Sequence, residues 1–172
     1  MEGAGPECQP LFQTLKFETM KKYLRTFLVR PLGAIPLIVL LVVVGCKPKP
    51  VPMDYGHEGC HFCSMTIVDA QHASEIVTKK GKVYKFDAVE CMVNFRKTID
   101  ASEVAMYLSN HYTTPVELID ATTASFLISE NLPSPMGAFL TAFRTEGEAQ
   151  AQRDLSGGEI FDWEGLLAAF DH

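Results

Sequence analysis

Between His57 and Met65 the chain reads His57-Glu58-Gly59-Cys60-His61-Phe62-Cys63-Ser64-Met65. Two cysteines stand three apart, with a methionine two residues after the second. Cys91 and Met92 follow as neighbours in an apolar run, and Met136 sits in Ser134-Pro135-Met136-Gly137. Three chemistries use such residues. Cys60 and Cys63 can form a thiol–disulfide pair, which works best with a low-pKa cysteine at a helix N-terminus. Cys60, Cys63, His57 and His61 can offer four zinc ligands, although adjacent His and Cys side chains crowd and no second C-x-x-C follows. Thiolates and thioethers together select Cu(I), and two or three of them suffice for a transferable site.

The surrounding pattern weighs on each reading. Met65-Thr66-Ile67-Val68 favours a strand, not the helix a thioredoxin-like pair needs, and no βαβ pattern precedes the motif. On a strand, Cys63 and Met65 point to the same face and can grip one ion together. His61 shares that face only if the strand starts that early. Met92 lies on an apolar helix face and reads first as core. Cys91 reads first as a small buried hydrophobe that can reach the same pocket. Met136, between turn residues, is the stronger ligand candidate. His72 and His111 sit near strand ends and are expected at the surface.

A weak internal duplication sets the expected architecture. Ile67-Val68-Asp69-Ala70 with Ala73-Ser74 recurs 51 residues later as Leu118-Ile119-Asp120-Ala121 with Ala124-Ser125. Gly81-Lys82-Val83-Tyr84-Lys85-Phe86-Asp87 is echoed 77 residues later by Gly158-Glu159-Ile160-Phe161-Asp162-Trp163-Glu164, implying an insertion of 26 residues in the second copy. The fold class is α+β, with two ββαβ-like halves over 57–112 and 113–172 and an inserted helical segment over 129–157. Strands are expected at Met65–Val68, Ala73–Thr78, Val83–Phe86, Ala105–Leu108, Val116–Ala121, Phe126–Ser129 and Ile160–Trp163. A helix from Ala88 to about Lys97 would be capped by Asp87 with Glu90 as reciprocal partner. Others are expected from about Ala138 to Asp154, ending before Gly157-Gly158, and from Gly165 to Phe170.

The N-terminus addresses the compartment. Lys21, Lys22, Arg25 and Arg30 precede a 16-residue uncharged run, Pro31 to Cys46. A spanning helix needs about 20 apolar residues, whereas a shorter apolar region after positive charge reads as a signal peptide. Leu41-Val42-Val43-Val44-Gly45-Cys46 looks like a bacterial lipobox. Residues 1–45 would then be a signal peptide, with Met20 the expected true start, and Cys46 would carry the lipid. Residues 46–56 form a proline-rich tether. The alternative is an uncleaved anchor, against which Pro36 and the short span count. From Cys46 onward the chain holds 10 Lys and Arg against 18 Asp and Glu. That excess of negative charge argues against nucleic acid as a partner.

Cys60-His61-Phe62-Cys63-Ser64-Met65, Phe86-Asp87 with Cys91-Met92, Ile119-Asp120-Ala121 with Ala124, Pro135-Met136-Gly137 with Ala142-Phe143, and Gly157-Gly158-Glu159-Ile160 together resemble the NosL family. These are lipoproteins that serve as accessory factors for nitrous-oxide reductase. The resemblance runs from about Cys60 to Phe170. It implies two related ββαβ halves, similar to organomercurial lyase. It also implies Cu(I) binding outside the cytoplasm, at a membrane facing the periplasm or cell exterior, with delivery to nitrous-oxide reductase or an ABC-type maturation complex. Cys63 and Met65 match the family's Cys-x-Met motif, and Met136 its Pro-Met-Gly motif. Ser64 stands where the family usually has Gly, and His111 where it often has Asp. The expected ligands are thus Cys63, Met65, Met136 and Cys60, with His61, Met92 and Cys91 as further candidates. No catalysis is expected. A store or sensor of copper, a chaperone for a different copper enzyme, and a lyase built on Cys63, Cys91 and Asp87 are the remaining readings.

Overall fold

The computed structural model describes residues 47–171. The expected signal peptide and the expected lipidation site, Cys46, lie outside them. No helix among the described residues is long and apolar enough to cross a membrane.

Two antiparallel sheets share one core. The first is built from β1 (Ser74–Thr78), β2 (Val83–Phe86), β3 (Val104–His111) and β4 (Thr114–Asp120), in the order β2-β1-β3-β4. The second holds β5 (Ser125–Ile128), β6 (Leu140–Phe143) and β7 (Glu159–Phe161), in the order β6-β5-β7. Helix α1 (Val89–Phe95) lies between β2 and β3, α2 (Glu146–Ser156) between β6 and β7, and α3 (Trp163–Phe170) closes the chain. The class is α+β, as the sequence indicates.

Both sheets are the same unit used twice. In each, the first strand is central, the second flanks it, a helix crosses, and a third strand returns on the other side. The register matches as well. Ser74 pairs with Phe86 in the first sheet, and Ser125 pairs with Phe143 in the second. The first sequence match, at offset 51, therefore holds at Ala73-Ser74 and Ala124-Ser125, which open equivalent strands, whereas Ile67 to Ala70 lies outside the strands and Leu118 to Asp120 lies in β4. The second is misplaced, because the partner of β2 is β6, not β7. The expected insertion over 129–157 contains the second copy's own strand and helix. The sheets also divide later than residue 112, since β4 still pairs with β3.

Local chemistry explains the other differences. The helix expected from Ala138 begins only at Glu146. Leu140-Thr141-Ala142-Phe143 is fully buried and pairs along β5, which favours a strand. Thr145 then starts α2 with a complete capping box to Glu148, and the helix stops at Ser156 before Gly157, as expected. Gly158 has φ +105, and a β-carbon there would sit 2.2 Å from the Ile128 carbonyl oxygen, so only glycine fits. Met65 to Val68 is not a strand. Only an isolated bridge between Gly59 and Thr66 forms, because the segment folds back on the loop before it and not onto a sheet. Asp87 does not cap α1. Ala88 holds the cap position without a side-chain bond, while Asp87 turns inward and accepts from the Val68 N–H at 3.4 Å.

The core runs through both copies. Phe86, Val89, Met92 and Ile76 from the first pack with Phe126, Leu140 and Leu166 from the second. Trp163 bridges Tyr107 and Phe126, with ring centroids 5.3 and 6.0 Å away. Burying each such side chain contributes roughly 1.5–3 kcal/mol. His72 and His111, expected at the surface, are both buried. Carboxylates make that burial tolerable: His72 Nδ1 lies 2.9 Å from Asp69 and His111 Nε2 lies 3.2 Å from Glu148.

Candidate metal centre

The cysteine motif sits on a pinned loop ahead of β1. Gly56 N–H donates to the Ile67 carbonyl at 2.8 Å, and Ile67 N–H returns to Glu58 at 2.9 Å. Inside that frame Cys60 N–H donates to Met65, and Ser64 N–H to Cys60, closing a tight turn. Ser64 adopts φ +63 there, a conformation glycine takes more readily. The loop is tied to β2 through His61 and Lys85. His61 N–H donates to the Lys85 carbonyl at 2.9 Å, and Lys85 N–H donates to His61 Nδ1 at 3.1 Å. Lys85 Nζ, nearly buried, bonds both oxygens of Glu58 at 2.7 Å and the Pro52 carbonyl at 2.8 Å. One lysine thereby fixes the tether and the loop against the same strand.

This placement brings Cys60 and Cys63 onto α1. The Sγ atoms of Cys60, Cys63 and Cys91 all lie within 4.8 Å of one another. Cys60 and Cys91 are buried, at 3% and 1% exposure, and Cys63 is partly open. Three sulfurs bound at roughly 2.3 Å around one ion stand about 4.0 Å apart. Sulfurs already within 4.8 Å of one another are close to that spacing. Among the described residues this is the one group of three His, Cys, Asp or Glu side chains so arranged. The four-ligand zinc reading loses its histidines. His57 faces Asp54 at 3.2 Å, and His61 spends Nδ1 on β2.

The three thiols are electrostatically unequal. The Cys91 thiol donates to Cys60, and the backbone N–H groups of Cys63, Asp87 and Phe62 point at the same sulfur, so Cys60 is held well below the usual thiol pKa despite burial. The Cys63 N–H to Cys60 Sγ distance is 3.5 Å. Donating to Cys60 pushes the Cys91 thiol up, and burial adds to the effect. Burial also raises Cys63. Hydrogen bonding thus favours the thiolate at Cys60 over those at its two neighbours. Asp87, buried beside it, is pushed up by burial.

The remaining candidates fall into two groups. Met65 and Met136 are exposed, at 50% and 38%. Phe62 is exposed in the same loop. Met92 is wholly buried in the core, as its helix position suggests. The loop carrying Met136 is nevertheless tied to the helix of Cys91. The Ser134 hydroxyl and the Ala138 N–H, the latter at 3.4 Å, both donate to Glu90 Oε1. Sequence reasoning missed Glu90 and Lys85 as organisers. The signal was there: each is a charged residue placed inside an apolar run, Val89 to Val93 and Val83 to Phe86.

Comparison with known proteins identifies the family. The NosL family model matches residues 50–169. The copper-binding lipoprotein NosL of Stutzerimonas stutzeri is 28% identical over 155 residues, covering 77% of this chain and 80% of that protein. The crystal structure of the copper chaperone NosL from Shewanella denitrificans superposes with a TM-score of 0.61 at 21% identity, over 69% of this chain and 96% of that one. The second similarity establishes the fold, and the family match spans well over half of the sequence. The chain belongs to the NosL family.

Proposed function

We propose that this protein is a lipid-anchored carrier of one Cu(I) ion, working outside the cytoplasm. The observation that carries the reading is the convergence of Cys60, Cys63 and Cys91, two sealed and one open. Soft thiolates favour Cu(I), which accepts three ligands without a fourth. The relative from Stutzerimonas stutzeri is itself a copper-binding lipoprotein and the structural neighbour a copper chaperone, which supports the same role here. Residues 1–45 act as signal peptide, Cys46 carries the lipid, and 46–56 tether the domain to a membrane facing the periplasm or exterior.

In this reading the three thiols are the resting ligands. Met65 and Met136, exposed thioethers, serve as entry and exit ligands. Cys63 is the thiol that an acceptor reaches first. The ion leaves by stepwise exchange: an acceptor sulfur or nitrogen binds copper as Cys63 lets go, and the buried pair follows. The acceptor is nitrous-oxide reductase or its ABC-type maturation complex. The protein carries its cargo and transforms no substrate.

The test is an anaerobic Cu(I) titration of the full chain in mild detergent against a chromogenic chelator, beside Cys63→Ser. Tight one-to-one binding, lost in the variant, is expected. Unchanged tight binding in Cys63→Ser would remove the cluster from the copper site. For the acceptor, loaded protein mixed with copper-free nitrous-oxide reductase should restore its copper absorption. Transfer no faster than from free Cu(I) would point to another recipient.

A further inference from the structure

The same three sulfurs can do a second thing. Cys60 and Cys63 are separated by a tight turn, their sulfurs lie within 4.8 Å of each other, and neither is bonded to another cysteine. Their exposures are graded. Cys63 opens to solvent, while Cys60 lies behind it. That is the arrangement of an attacking and a resolving thiol. The Cys63 N–H donates to the sulfur of Cys60 at 3.5 Å, so the turn already holds the two cysteines side by side, and the sulfurs close from within 4.8 Å to the roughly 2.05 Å of a disulfide. Cys91 is buried at 1% exposure, so a reagent in solution meets Cys63 first.

We infer that Cys60 and Cys63 form a reversible regulatory disulfide, driven by small-molecule disulfides, which removes two of the three copper ligands. This deepens the copper reading and rests on it. Cys63, the accessible thiol, gives up its proton as its sulfur attacks one sulfur of a disulfide RSSR, forming a mixed disulfide and expelling RS⁻. The Cys60 thiolate then attacks the Cys63 sulfur, closing the Cys60–Cys63 bond and expelling the second RS⁻. Two protein thiols are oxidised by two electrons, RSSR is reduced to two thiols, and the two protons released by the cysteines go to the two RS⁻ groups. Cys91 remains as a single buried thiol, too few ligands for tight copper. Bound Cu(I) occupies both sulfurs and blocks the first attack. The protein therefore accepts copper only when reduced, and keeps its thiols reduced while loaded.

The experiment exposes the reduced full chain, in mild detergent and without oxygen, to oxidised glutathione, with and without one equivalent of Cu(I). Thiols are then alkylated and mapped by peptide mass spectrometry, and Cu(I) binding is measured before and after oxidation. The expected result is a Cys60–Cys63 disulfide in the copper-free protein, loss of tight Cu(I) binding, recovery with a reductant, and protection by prior copper. Cys91→Ser should still form the disulfide, and Cys63→Ser should not react. A persistent glutathione adduct on Cys63, a Cys60–Cys91 bond, or no reaction would overturn the inference while leaving the copper reading intact. Failure of the reduced wild-type chain to bind Cu(I) would instead overturn the copper reading, and the gate with it.

Discussion

The two copies of the ββαβ unit place different chemistry at the same point. With Phe86 and Phe143 equivalent in register, Ala88 and Thr145 occupy the same cap position, and Cys91 and Glu148 the same place three residues into the helix. In the second copy Thr145 Oγ1 accepts the Glu148 N–H at 3.3 Å, and Glu148 returns to the Thr145 N–H at 3.1 Å. Glu148 also meets His111, which is buried at the end of β3. That corner is built for stability. In the first copy Ala88 offers no cap and Glu90 faces inward to hold the Met136 loop. Position 91 is therefore free to carry a thiol toward the cysteine loop. A second contrast lies on the central strands. Phe126 faces the core opposite Ala142, whereas the equivalent Glu75 stands opposite Lys85. One copy specialises in packing, the other gives up some local stability to organise a site.

The largest test of that contrast exchanges the two helix positions. Cys91→Ser should lose tight Cu(I) binding in a chelator competition, with little change in folding stability. Glu148→Cys should gain no copper site, since no second sulfur waits there. Copper bound at a new cysteine 148 would show that the first copy's loop is not what makes the site.

Next comes pH. Two thiols of the cluster, Cys63 and Cys91, are raised and so protonated at neutrality, and copper must displace those protons. Apparent affinity should therefore climb with pH, by up to about tenfold per unit for each proton released. A flat profile between pH 6 and 8, measured by the same competition, would contradict the assigned charge state.

A smaller effect belongs to Glu75. It is fully buried with neither carboxylate oxygen hydrogen-bonded. Burial pushes it up to about 7, against the pull of Lys85. The folded state therefore holds a proton that the unfolded chain, with a pKa of about 4.3, has lost. This contribution is complete below the unfolded value and fades as pH rises toward 7. Glu75→Gln should flatten the fall in urea stability across that window, and an unaltered slope would clear Glu75 of responsibility. The smallest effect is Thr145→Ala. Losing half the capping box should cost about 1 kcal/mol of stability and leave copper affinity unchanged. A drop in affinity would mean that the second copy does shape the site.

Much of this was legible in the sequence, for identifiable reasons. The sulfur motif is short, local and chemically distinctive, so the C-x-x-C pattern pointed to two of the three clustered cysteines. Runs of β-branched and apolar residues located β1 to β4. The offset of 51 found the repeat, because Ala73-Ser74 and Ala124-Ser125 open equivalent strands. Three things were hidden. The strand nature of 140–143 is decided by pairing to β5, which local propensity does not reveal, and this misplaced the second repeat match. Met65 to Val68 has strand propensity but no sheet edge to join. Cys91 looked like core, since the approach of a loop some 30 residues upstream is a tertiary fact. The three thiols thus converge, with Cys91 among them, while the thioethers expected beside Cys63 are exposed.

The most direct measurement is copper K-edge EXAFS of the Cu(I)-loaded, reduced full chain beside Cys91→Ser and Met65→Leu. The account predicts three sulfur neighbours, fewer in Cys91→Ser and an unchanged set in Met65→Leu. A sulfur count insensitive to Cys91→Ser but reduced by Met65→Leu would contradict it, and would return the ion to a Cys63–Met65 pair.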